Sequence, residues 1–88
     1  MMKEIRVRVS IATGLHARPA AMVVSRTTKF KCNITAQKGD QKANVKSLMD
    51  LLGLGICLND ELIIRAEGTD EIEAIAKISK VIDNFDNQ

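Results

Sequence analysis

At 88 residues, 45% of them apolar, the chain is long enough to bury one core and too apolar to stay disordered. Its formal charge of +2 is scattered, and its two rings, Phe30 and Phe85, are too few to stack bases, which argues against nucleic acid as a partner. Cys32 and Cys57 belong to no CxxC or CxxH pair and no apolar run reaches the length of a membrane span, so metal, thioredoxin-type and membrane-inserted readings fall away. The start MMKEIRVRVS has no apolar signal segment, so two reduced, largely packed thiols in a cytoplasmic protein are expected.

Residues 2–10 alternate, with Ile5, Val7 and Val9 on one side and Glu4, Arg6 and Arg8 on the other, which predicts a half-buried strand. After Thr13-Gly14 the period changes. Ala20, Val23, Val24, Thr27 and Phe30 fall on one helical stripe, and Pro19 suits a first turn. Alternation returns at Cys32, Ile34 and Ala36. Lys38-Gly39-Asp40 then reads as a hairpin turn into a short polar strand with Ala43 and Val45 facing inward.

Ser47 and Asp50 have capping-box spacing and open a short helix that Gly53 and Gly55 close. Asn59-Asp60 is a turn, and Leu62, Ile64 and Ala66 mark a fourth strand that Gly68 breaks. Asp70 and Glu73 repeat the capping spacing before a last helix expected to bury Ile72, Ile75, Ile78, Ile82 and Phe85, with a frayed tail beyond. The order β-α-β-β-α-β-α, with every strand alternating, predicts an α+β open-faced β-sandwich. A four-stranded, mainly antiparallel sheet would carry three helices on one face, in one domain over residues 1–88.

TGLHARPAA, residues 13–21, holds the chain's one histidine at a strand-to-helix junction. The opening N–H groups of a helix lack intrahelical partners and form the positive end of its dipole, a setting that favours anions, phosphate above all. A cationic neighbourhood with Arg18 keeps a nearby imidazole neutral and nucleophilic, and the guanidinium can fork two phosphate oxygens. Two readings of His16 therefore stand: a phosphoryl acceptor, or a surface residue that merely caps. A hydrolytic triad is excluded, because Ser10 and Thr13 lie too close in sequence and no nucleophile elbow is present.

Ser47 likewise reads either as a plain N-cap or as a phosphorylation site. Leu48, Met49, Leu51 and Leu52 are more apolar surface than a short helix buries on one side. Either some of them face solvent as a docking patch or all four pack inward.

TGLHARPAA and NVKSLMDLLGLGI, in this order, closely resemble the two signature segments of the HPr family, the histidine-containing phosphocarriers of the bacterial phosphoenolpyruvate-dependent sugar phosphotransferase system. The resemblance covers essentially the whole chain. It implies a carrier rather than an independent catalyst, needing no cofactor. His16 would take a phosphoryl group on Nδ1 from enzyme I and pass it to sugar-specific enzyme II A components, with Arg18 stabilising the phosphate. Ser47 would match the serine modified by HPr kinase/phosphorylase, producing a form that acts in carbon catabolite repression with a catabolite-control transcription regulator. Ala17, Ala20, Ala21, Leu48, Met49 and Leu52 would match a partner-docking face. A shuttle that docks to successive partners is expected to be a monomer. Asp50 departs from the family pattern, standing where many members have glycine.

Overall fold

The expected element order is realised: β1 (Met2–Arg8), α1 (Ala17–Thr27), β2 (Asn33–Lys38), β3 (Gln41–Asn44), α2 (Leu48–Gly53), β4 (Glu61–Glu67) and α3 (Glu71–Asp83). The computed structural model describes residues 2–9 and 17–83. His16 and Phe85, and with Phe85 the expected frayed tail, lie outside the described residues.

Period-two alternation sends every second side chain to one face of the sheet, and pairing aligns those faces. The strand order is β1-β4-β2-β3 with every neighbour antiparallel. One inward row, Ile5–Ile64–Ala36–Ala43, crosses all four strands. Small alanines at one end of that row leave room for helices to approach. Helix α3 packs on β1 and β4, α2 packs on β3, and α1 lies against both other helices. The opposite face is polar: Arg65 donates from Nε to Glu4 at 2.6 Å and from Nη1 to Gln37 at 2.5 Å, tying three strands together. The molecule is the open-faced sandwich that the alternation predicts.

Three sequence expectations are corrected. Helix α1 ends at Thr27, so Phe30 is buried from the following link and not from the helical stripe. On α3, Ile72 is 66% exposed, and the buried line is Glu71, Ala74, Ile78 and Val81, with Ile75 and Ile82 at its flanks. Ile72 is six residues from Ile78, and at 3.6 residues per turn that places it about 120° around the helix. Of the thiols, Cys32 is buried but Cys57 is exposed, and both are free.

The second capping box also differs from expectation. Asp70 precedes α3, yet its carboxylate accepts the N–H groups of Lys31 at 2.8 Å and Cys32 at 2.9 Å, across the molecule. From the other side, the Lys46 ammonium donates to the carbonyls of Phe30 and, at 2.7 Å, Cys32. The link from α1 to β2 is thus gripped at its donors by one charge and at its acceptors by the opposite one.

The Lys31 N–H holds the Asp70 carboxyl below its ordinary value of 3.8, with the Cys32 thiol and N–H adding to it. The Cys57 N–H, then Lys38, do the same for Asp60. A carboxyl depressed in the folded chain contributes stability above its unfolded value, and that stability is lost as pH falls through the folded one. Thermal denaturation from about pH 5 down to pH 2 should therefore show a falling Tm, and Asp70→Asn should flatten part of that fall. An unchanged pH profile in the variant would mean the clamp contributes nothing.

Candidate phosphoryl-transfer site

Helix α1 begins at Ala17, the residue directly after His16 in sequence. His16 itself lies outside the described residues. The N–H groups of Ala17 and Arg18 are among the donors that a helix start leaves unpaired within the helix, and Pro19 contributes none. No acidic residue occupies the first turn, so no side chain there offsets the positive end of the dipole, while Arg26 complements the negative end. Arg18 is exposed and makes no hydrogen bond or ion pair with the other described residues. Its guanidinium is therefore free of competing carboxylates among them.

Helix α1 buries Pro19, Ala20, Val23 and Thr27. Ala20 is 0% exposed, which corrects its expected place on a docking face: its methyl is covered by the core and cannot meet a partner. Ala17 and Ala21 are exposed and four residues apart, so they share one open stripe of small side chains.

Helix α2 packs against α1. Of its four large apolar side chains only Leu51, at 2% exposure, is fully inward. Met49 is 78% exposed, and Leu48 and Leu52 are half-buried. Among the two alternatives, the solvent-facing patch is the one realised. The helix runs to Gly53 with Leu54 as its C-cap, and Gly55 then turns the chain away: it has φ +61°, the left-handed turn that glycine adopts at little cost, and gives its N–H to the Leu52 carbonyl at 3.2 Å.

Ser47 is the N-cap of α2, half-buried, with Oγ accepting the Asp50 N–H at 3.4 Å. The reciprocal half of a capping box is not made, because the Ser47 N–H donates to the Asn44 carbonyl at 2.9 Å. The neighbouring Lys46 has its ammonium on the Phe30 and Cys32 carbonyls. Nothing in the sequence periodicity marks that lysine, because its partners are backbone oxygens remote in the chain.

Among the described residues, no cluster of His, Cys, Asp and Glu side chains could hold a metal ion, and no helix is long and apolar enough to cross a membrane.

Residues 3–84 match the family model described as the PTS HPr component phosphorylation site. The phosphocarrier protein HPr of Mycoplasma pneumoniae is 41% identical over 83 residues, covering 93% of this chain and 94% of that protein. HPr-C-His from Thermoanaerobacter tengcongensis has a similar crystal structure, with TM-score 0.92 and 37% identity over 98% of this chain and 97% of that one. The HPr-like protein Crh of Bacillus subtilis is 36% identical over 81 residues, 92% of this chain and 95% of that protein. The crystal structure of Crh, a dimer with a swapped domain, aligns with TM-score 0.76 over 90% of this chain and 91% of that one.

Proposed function

The chain belongs to the HPr family of the phosphotransferase system, and from that premise we propose that it accepts a phosphoryl group from phosphorylated enzyme I on His16 and hands it to sugar-specific enzyme II A components. The Nδ1 lone pair of a neutral imidazole forms the P–N bond as the bond to enzyme I breaks, and the reverse exchange at the acceptor releases it. What supports this most is the position of His16 in the matched sequence: the next residue opens α1, whose first turn carries no acidic side chain. Helix N–H groups and Arg18 can stabilise the added charge there without enclosing it.

Ala17 and Ala21 on α1, with Leu48, Met49 and Leu52 on α2, supply the docking face. Small and apolar side chains suit successive, short-lived partners. Such a face has to stay open, so the working form is a monomer, in contrast to the Crh dimer. Sedimentation giving a dimer at working concentration would contradict that. Ser47 is the regulatory site, modified by HPr kinase/phosphorylase and read by a catabolite-control transcription regulator.

The carrier role is tested by reconstitution. With phosphoenolpyruvate, enzyme I and an enzyme II A component, phosphate should reach the acceptor only when this chain is present. Acceptor labelling that does not depend on the chain would remove the proposal. Arg18→Ala should slow the transfer roughly tenfold while leaving the thermal unfolding curve unchanged, the loss expected for one exposed charge-assisted contact. Unchanged kinetics would make the guanidinium a bystander.

A further inference from the structure

We infer that Asp50 is an electrostatic brake on modification of Ser47, an inference that rests on reading Ser47 as the regulatory site. The Ser47 oxygen lies 3.4 Å from the Asp50 backbone nitrogen. With bonds near 1.5 Å, no rotamer carries the Asp50 carboxylate more than about 4 Å from its own nitrogen, and therefore more than about 7 Å from that oxygen. The carboxylate is also not needed by the helix cap, because the Ser47 N–H already pairs with the Asn44 carbonyl. Asp50 is exposed, and its side chain has no hydrogen bond or ion pair among the described residues.

The cations nearby in the chain do not offset this charge directly. The Lys46 ammonium is engaged by the Phe30 and Cys32 carbonyls. Lys42 on β3 lines the same shallow hollow as Asp50 and Met49 but forms no ion pair with Asp50. Helix α1, packed on α2, brings Arg18 and Arg26, both exposed. A phosphate on Ser47 thus meets a fixed carboxylate one turn into its own helix. At that separation in water, Coulomb's law disfavours each phosphate charge by a factor of roughly 2 to 3, and salt weakens the effect.

The experiment uses the full chain with phosphoserine installed at position 47 during synthesis, with and without Asp50→Asn. The cations are common to both proteins, so their comparison isolates the carboxylate. Followed by phosphorus NMR at low ionic strength, the second phosphate ionisation should occur at lower pH in the variant, by roughly 0.4 pH unit, and the difference should shrink in about 1 M salt. Coincident titration curves, or a difference that salt leaves untouched, would overturn the inference. Kinase and ATP added to the unmodified proteins should label Asp50→Asn about twofold to threefold faster at Ser47. Failure to label either protein would remove Ser47 as a target while the titration still decides the role of Asp50.

Discussion

Replacing His16 with alanine abolishes phosphoryl uptake. Incubated with enzyme I and phosphoenolpyruvate, the wild-type chain should gain a single phosphoryl group by intact mass, and His16→Ala should gain none. The effect is total because no other imidazole exists in the chain. The hydroxyls of Ser10 and Thr13 are poor nucleophiles without an adjacent base. A P–N bond is labile in mild acid whereas a phosphate ester survives it, so the wild-type label should disappear on brief acidification. An acid-stable label, or one that persists in the variant, would place the phosphate elsewhere. The variant should keep its fold, since α1 starts after position 16 and its buried residues are untouched.

Gly68→Ala should produce the largest structural loss. Gly68 has φ +150°, and a Cβ added there would lie 2.7 Å from both Cα and Cβ of Cys32. The Cys32 backbone cannot retreat easily, because its N–H is held by Asp70 and its carbonyl by Lys46. Strain at an unfavourable φ and a clash against a gripped backbone together should cost about 2–4 kcal/mol. In a domain of this size that lowers Tm by roughly 10–25 °C in a calorimetric scan. A loss below about 1 kcal/mol would show that the end of β4 and the start of β2 can separate without penalty.

The sheet was legible because alternation is a local property: Ile34 and Ala36, or Leu62 and Ile64, declare their face without reference to anything distant. The two-residue loop at Gly39-Asp40 and the cap at Ser47 were legible for the same reason. What failed was decided by tertiary contact. Asp70 has the spacing of an N-cap, but the N–H groups of Lys31 and Cys32, in the link just before β2, compete for its carboxylate and win. Ile72 is as apolar as Ile78, yet the line of α3 that meets the sheet passes through small Ala74 and leaves Ile72 in solvent.

The candidate site divides in the same way. TGLHARPAA announces an imidazole just ahead of a helix and a guanidinium in its first turn, and α1 does begin at Ala17. The buried state of Ala20 was already implicit in its place on the helical stripe with Val23 and Thr27. The family resemblance pointed to a docking role, and the packing of α1 forbids it. On α2 the excess of leucine and methionine did foretell exposed apolar surface, because a six-residue helix has too little inward face for all four side chains.

The most direct test follows the imidazole itself. In isotope-labelled protein phosphorylated by enzyme I, phosphorus should couple to the Nδ1 side of the His16 ring, and the amide signals of Ala17 and Arg18 should shift with it. Phosphorus coupled to any other residue, or a His16 ring whose signals stay as they were before phosphorylation, would contradict the account.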